Sequence, residues 1–420
     1  MEEVIRIEGG HDLNGTIHIS GAKNATVALI PASVLATKPV RLVGIPDISD
    51  VSSLKEILEY LNVDVQMPQD GEILIDPSHM TNKPLTIEAV GRLRASYYFM
   101  GALLGKFKNV TIKMPGGCNL GPRPINLHIK GFQALGADIR DDGQYITMHA
   151  EHLKGADIYL DFASVGATIN IIMAAVYAEG RTIIENAARE PEIIDVITLL
   201  NKMGASIKGA GTNVITIDGV GQLGGCFHEI IPDRIEAGTF MILSAAMGNH
   251  VMLENVIPYH LDSLMSKLKE CGVNIDSKID YVDIYRSTNL KAVEVKTSPY
   301  PGFATDLQAP LTSLLTQASG TSTITEQIYP ERFRHCEQLV KMGADITVAS
   351  PTATIVGPTK LKGTDVWATD LRCGAGLVVA GLLAEGVTTI HDIYHIDRGY
   401  DDLDGKLKTV GARIWRETID

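Results

Sequence analysis

A chain of 420 residues, 45% hydrophobic and 21% charged, has a globular composition and is too long for one ordinary core. Its net charge of −13 argues against nucleic acid as the main partner, although a local cluster of Arg, Lys and helix N-termini can still take an anion. The longest apolar stretch, 374–384, is too short for a membrane span, and the acidic start M-E-E-V-I-R is unlike a signal peptide. Five cysteines without framework spacing fit a reducing, cytoplasmic setting. No Cys-x-x-Cys or His-x-x-x-His pair suggests a metal, and no cofactor is expected.

The chain opens with I-R-I-E-G-G-H-D-L-N-G-T-I-H-I at 5–19, a strand leading into a turn around Leu-x-Gly. The stretch at 21–36, G-A-K-N-A-T-V-A-L-I-P-A-S-V-L-A, follows as a helix apolar nearly all round, hence a buried one. An amphipathic helix then ends in Y-L-N-V-D-V at 60–65. That ending returns as A-L-G-A-D-I at 134–139, K-M-G-A-S-I at 202–207, E-C-G-V-N-I at 270–275, K-M-G-A-D-I at 341–346 and T-V-G-A-R-I at 409–414. Asn62, Gly136, Gly204, Gly272, Gly343 and Gly411 are spaced 74, 68, 68, 71 and 68 residues apart, which makes the chain a sixfold repeat. Each of these residues suits the left-handed position that stops a helix, and the β-branched residue two further on starts a strand.

Each repeat of about 70 residues reads helix, strand, helix, strand, strand, with its first helix buried. Five repeats continue into the Leu-x-Gly turn, as at 215–225 and 353–363, but the sixth stops at Asp420 without it. The opening segment is that missing piece. The expected architecture is α/β: two inside-out barrel domains of three repeats, with buried helices and outer strands. One covers 22–231 and the other joins 1–21 to 232–420.

Polar residues collect at two places in the repeat, both helix N-termini, where free N–H groups attract anions. At the buried helix these are Lys23-Asn24, Arg94, Ser164-Val165-Gly166, Asp233-Arg234, Asp306 and Asp370 with Arg372. At the second helix they are the stretch from Cys118 to Arg123, then Arg189-Glu190, Arg332 and Arg398. Plain N-capping is the alternative reading for each of Asp233, Asp306 and Asp370. Cations such as Lys23, Arg94 and Arg372 oppose the helix dipole, which points to an anionic ligand.

The stretch M-P-G-G-C-N-L-G-P-R at 114–123 is a glycine-rich loop that sets a thiol, Cys118, near a guanidinium, Arg123. Cys271 and Cys336 read as packing residues, Cys226 sits in a turn, and Cys373 follows Arg372. His128 is as good a packing or capping residue as a ligand contact.

These stretches resemble the enolpyruvyl transferases over the whole chain. The most specific are G-A-K-N-A at 21–25, P-G-G-C-x-x-G-x-R-P at 115–124, S-V-G-A-T at 164–168 and A-R-E-P-E-I at 188–193. P-D-R-I-E at 232–236, T-D-L-Q-A at 305–309, T-D-L-R at 369–372 and I-D-R-G-Y at 396–400 add to them. The resemblance implies a fold of two inside-out barrels. It also implies transfer of the enolpyruvyl group of phosphoenolpyruvate to the 3′-hydroxyl of UDP-N-acetylglucosamine, releasing phosphate, in the first committed step of bacterial peptidoglycan synthesis.

By the same resemblance Cys118 protonates the methylene carbon, can carry an enolpyruvyl thioether, and is the point of attack by the epoxide fosfomycin. Asp306 takes the hydroxyl proton and holds the sugar. Lys23, Arg123 and Arg398 bind phosphoenolpyruvate, Lys23 counting with Cys118 and Asp306 as catalytic, with Arg94 and Arg372 supporting and Arg332 in the substrate-binding set. Asn24, Pro124, Ser164, Val165, Gly166 and Ile328 contact the nucleotide sugar, while Asp370 and Glu190 shape the centre. The loop glycines suit a lid. One departure is Phe162, where some members carry a Lys near the nucleotide phosphates. The alternatives are the shikimate 3-phosphate branch of the family, a non-catalytic nucleotide-sugar sensor, and a thiol hydrolase, which lacks a convincing His partner for Cys118. A monomer or weak oligomer is expected.

Overall fold

The computed structural model describes residues 1–114 and 125–419. The six marker residues stop helices as their chemistry requires, with φ running from 59° at Asn62 to 109° at Gly204. The helices they end are amphipathic: Ser49–Tyr60, Asn126–Ala134, Pro191–Lys202, Asp262–Glu270, Arg334–Lys341 and Leu403–Thr409. The apolar helices of the repeats are Lys23–Ser33, Tyr98–Phe107, Val165–Ala175, Arg234–Met247, Gln308–Leu315 and Leu371–Leu383. They are buried almost throughout; in Val165–Ala175 every residue from Gly166 onward is inaccessible. Small residues let two of them meet closely. A Cβ on Gly101 would stand 2.2 Å from the Asn170 carbonyl oxygen, and one on Gly105 2.6 Å from that of Met173.

The described chain forms two compact units, residues 1–20 with 232–419 and residues 21–114 with 125–231. Each has a separate apolar core. Within a unit the sheets follow one plan. In the third repeat the strand order is Asp157–Tyr159, Arg181–Glu185, Val214–Asp218, Ser206–Lys208, the first pair parallel and the others antiparallel. The parallel edge strand comes from the end of the preceding repeat, so the sheets are offset from the sequence repeat by one strand.

In the 21–231 unit, Phe227–Glu229 pairs with Val40–Val43 and Asp157–Tyr159 with Arg181–Glu185. Leu85 makes a single parallel bridge to Ile112. In the other unit, Leu13–His18 pairs with Gly248–Glu254, Glu294–Lys296 with Gly320–Thr325, and Asp365–Trp367 with Val387–His391. Apart from the first repeat, which gives the second only the Leu85 bridge, each repeat therefore hands a strand to the next and the third hands one back to the first. The three sheets of a unit are linked in a ring, with their apolar helices buried.

The N-terminal segment is divided between two sheets. Glu2–Glu8 lies antiparallel between Val387–His391 and Arg413–Ile419, the place Val214–Asp218 holds in the third repeat. Leu13–His18 goes on to the fourth repeat's sheet. Among the described residues no helix is long and apolar enough to cross a membrane.

Candidate active site

In the unit of residues 1–20 and 232–419 the charge centres on Asp306. This residue lies in the 3-10 turn Thr305–Leu307 that precedes the helix Gln308–Leu315. Arg332 Nη1 donates to Asp306 Oδ1 at 2.8 Å and Arg372 Nη2 to Oδ2 at 3.3 Å, so each carboxylate oxygen meets its own guanidinium. Both arginines are buried, while a quarter of the Asp306 side chain stays accessible. Burial opposes the Arg332 charge, but Asp306 and Asp370 outweigh it and raise its pKa above the ordinary value. Arg372 is raised further, again against burial, with Asp306 and Tyr400 as the main opposing influences. Its guanidinium carbon stands 5.4 Å from the centre of the Tyr400 ring.

Asp370 caps Leu371–Leu383: its Oδ1 accepts from the N–H groups of Arg372 and Cys373 at 2.8 and 3.1 Å. Asp233 does the same for Arg234–Met247. Asp306 instead lies inside its 3-10 turn, at neither N-cap position, so the three aspartates are not equivalent. Ile328 lies in a loop wound on Glu326, a fully buried carboxylate that accepts from the Ile328 and Tyr329 N–H groups and from the hydroxyls of Thr297 and Thr305. Thr305 in turn accepts from Arg332 Nη1 at 3.1 Å. Arg398, partly buried, follows the turn Tyr394–Asp397. A Cβ on the next residue, Gly399, would lie 2.5 Å from Leu371, so this loop rests on the start of the Leu371–Leu383 helix.

The 21–231 unit combines neutral groups with a few charges. Ser164 caps Val165–Ala175, its Oγ accepting from the Ala167 N–H at 3.3 Å, and Val165 and Gly166 form the first turn. Gly166 leaves no room for a side chain, because a Cβ would fall 2.8 Å from the Tyr97 hydroxyl and 3.1 Å from His128. Arg94 opens the neighbouring 3-10 turn Arg94–Tyr97. His128 is held neutral, its pKa pushed down to about 3 by burial and by the charge of Arg94. Its tautomer follows from its partner: Asn170 Oδ1 accepts the Gly101 N–H, so Asn170 Nδ2 is the donor to His128 Nδ1. The His128 proton is therefore on Nε2.

Lys23 begins its helix 3.1 Å from the carboxylate of Asp50, and Asn24 beside it is partly buried. Glu190 occupies the N-cap position of Pro191–Lys202 without a side-chain cap bond, and its carboxylate accepts instead from the Arg189 N–H. The cations at helix starts pointed to an external anion. For Lys23 and Arg372 the chain also supplies carboxylates of its own, Asp50 and Asp306, and no sequence pattern joined those pairs.

Cys118, Arg123 and Pro124, expected at the site, lie outside the described residues. Cys271, Cys336 and Cys373 are buried, and burial pushes their thiols up to about 12, 12 and 11. Cys226 is half-buried with its thiol also raised by burial. All four read as structural cysteines. Phe162, the departure from the family pattern, is exposed. Glu326, Thr305, Asn170 and Asp50 were not singled out from the sequence. Only Glu326 left a trace there, standing where most of the other repeats carry Asn, Gly or Asp.

Ringed sheets around buried helices, with polar helix starts, define an α/β protein that gathers its polar groups at helix N-termini. A family model described as EPSP synthase (3-phosphoshikimate 1-carboxyvinyltransferase) matches residues 7–407. The chain is 58% identical over 418 residues to the UDP-N-acetylglucosamine 1-carboxyvinyltransferase 2 of Bacillus subtilis (strain 168), covering 99% of this chain and 97% of that one. It is 56% identical to the protein of the same name from Listeria monocytogenes, covering 100% and 99%. Among solved structures it is similar to the enolpyruvyl transferase NikO from Streptomyces tendae, at 27% identity, with a TM-score of 0.90 and full coverage of both chains. An EPSP synthase from Acinetobacter baumannii, at 20% identity and a TM-score of 0.76 over 99% and 100% of the two chains, shares the fold. The chain belongs to the enolpyruvyl transferase family, for which EPSP synthase gives the model its name.

Proposed function

We propose that this protein transfers the enolpyruvyl group of phosphoenolpyruvate to the 3′-hydroxyl of UDP-N-acetylglucosamine and releases phosphate. The observation that carries the reading is its 58% identity, across 99% of the chain, to a carboxyvinyltransferase named for that nucleotide sugar. The chemistry needs three things. The methylene carbon of phosphoenolpyruvate must be protonated to make C2 electrophilic, the sugar hydroxyl must lose its proton as it bonds C2, and the donor's anionic groups must be balanced. The resulting ketal then loses phosphate and a methyl proton, which restores the vinyl group.

Cys118 is the acid at the methylene, able to bond C2 as a thioether and to open the epoxide of fosfomycin. Asp306 accepts the hydroxyl proton. A carboxylate held by Arg332 and Arg372 is a weak base, and a weak base is enough here, because the alcohol becomes strongly acidic only as its oxygen bonds C2. Lys23, Arg123 and Arg398 hold phosphoenolpyruvate with Arg94 and Arg372 in support. Asn24, Pro124, Ser164, Val165, Gly166 and Ile328 hold the nucleotide sugar, Arg332 belongs to the substrate-binding set, and Glu190 and Asp370 shape the centre. The two compact units serve as the two barrel domains. The protein works in the cytoplasm as a monomer or weak oligomer, in peptidoglycan synthesis and hence in cell shape and division.

Phosphate release from phosphoenolpyruvate tests this directly. Release with UDP-N-acetylglucosamine and none with shikimate 3-phosphate is expected; the reverse would transfer the reading to the shikimate branch.

A further inference from the structure

The fifth repeat breaks a rule that four others keep. Two residues beyond the fully buried strand residues Leu42, Ile184, Leu253 and Ile390 stand Gly44, Asn186, Asn255 and Asp392. All four have φ between 54° and 81°. Asn186 and Asn255 close the turn by donating to the carbonyls of Leu160 and Ile19, which are buried and apolar. The residue two beyond Ile324 is Glu326, which has no positive φ and is fully buried. Its facing position, occupied by Leu160 and Ile19 in the other sheets, is Thr297, also fully buried.

A buried carboxylate where a neutral asparagine suffices is costly unless its charge is used. Here three of the four hydrogen bonds it accepts lead toward the candidate site. Oε1 takes the Thr297 hydroxyl at 2.7 Å and the N–H groups of Ile328 and Tyr329 at 2.9 and 3.0 Å. Oε2 takes the Thr305 hydroxyl at 2.8 Å. Because the Thr305 proton is committed to Glu326, its lone pairs face Arg332 Nη1, the same nitrogen that holds Asp306. We propose that Glu326 is a positioning residue for the acceptor half of the reaction: through Thr305 it aims Arg332 at Asp306, and through two backbone amides it fixes the loop of Ile328. The inference rests on the enolpyruvyl-transfer reading and deepens it by assigning this network to the sugar rather than to phosphoenolpyruvate.

Glu326→Gln keeps the size of the side chain, but its amide end would donate to Thr305 and turn that hydroxyl toward Arg332. The expected result is a KM for UDP-N-acetylglucosamine raised about tenfold, the equivalent of one hydrogen bond. The KM for phosphoenolpyruvate should stay within about twofold, since ground-state contacts to the donor are untouched. Thr305→Val should reproduce this split, and Thr305→Ser, which keeps the hydroxyl, should abolish it. If Glu326→Gln melts below the assay temperature, the Thr305 pair decides alone. Both KM values moving together, or neither moving, in variants of an enzyme whose wild type turns over would overturn the assignment. A wild type that releases no phosphate would instead remove the reading on which it rests.

Discussion

The two compact units share one plan of ringed sheets and buried helices, yet they use their helix starts differently. The unit of 1–20 and 232–419 invests in charge: Asp306 between two buried arginines, with Asp370 and Tyr400 close to Arg372. The 21–231 unit presents a serine cap, a bare glycine and a histidine kept neutral beside Arg94. The contrast shows that repetition fixes where polar groups can stand, while side-chain identity decides which chemistry they do. A carboxylate gripped by guanidiniums suits a proton that moves only in the transition state. Neutral donors and a vacant Cβ position suit close contact with a sugar nucleotide.

The largest effects are expected where chemistry is assigned. Cys118→Ala and Asp306→Asn should each lower kcat by roughly two to four orders of magnitude, the range for removing a general acid or base. Cys118→Asp, which keeps an acid without the soft nucleophile, should retain turnover and escape inactivation by fosfomycin. Full activity in Cys118→Ala would end the thiol's role. Asp306→Asn should also lose thermal stability, because it strips Arg332 and Arg372 of their shared counter-charge. An Asp306→Asn protein that melts like wild type would mean that the arginines do not depend on it.

Gly166→Ala tests the neutral unit. The added methyl would sit 2.8 Å from the Tyr97 hydroxyl, so one ring must move, at about 1–3 kcal/mol for overpacking. Nucleotide-sugar affinity should fall while the KM for phosphoenolpyruvate holds. Unchanged melting and affinity would show that the contact yields freely.

How much of this could be read in advance depended on what repeats. The helix stops at Asn62 and the five glycines follow from φ preference, and the apolar runs gave the buried helices. The offset of each sheet by one strand was not legible. It depends on which neighbour accepts the edge strand, and strands such as Asp157–Tyr159 are too short to carry a signal of their own. Asp50 could not be matched to Lys23, nor Thr305 to Arg332, because tertiary pairing leaves no spacing rule. Glu326 was legible in principle, as a departure from a position that holds Gly, Asn or Asp in four other repeats, and only alignment of the repeats against one another brings it out.

Acid should act on both units alike. His128 is pushed down to about 3 and His335 to about 4, both mainly by burial. The unfolded chain takes up protons near the ordinary histidine value of about 6.5 while the folded chain refuses them. Stability present above that pH is therefore lost as pH falls through the window toward 4. Each histidine contributes up to about 2 kcal/mol of loss by pH 5. Melting temperature should drop between pH 7.5 and 5, and His335→Gln should shrink the drop. A drop of the same size in that variant would place the acid sensitivity elsewhere.

The smallest effects separate capping from charge. Ser164 caps through one long bond, whereas Asp370 accepts two N–H groups at 2.8 and 3.1 Å. Ser164→Ala should therefore cost no more than about 0.5 kcal/mol, at the low end for a lost cap, and show itself mainly in the KM for the nucleotide sugar. Asp370→Asn keeps an oxygen for both N–H groups and removes only the charge, so melting should barely change. Yet Asp370 helps hold the Arg332 charge. With that support gone, Arg332 leans harder on Asp306, and kcat should fall by a few-fold, the scale of one weak electrostatic contact. If Asp370→Asn leaves kcat unchanged, its charge does not support Arg332 and Asp370 is only a cap.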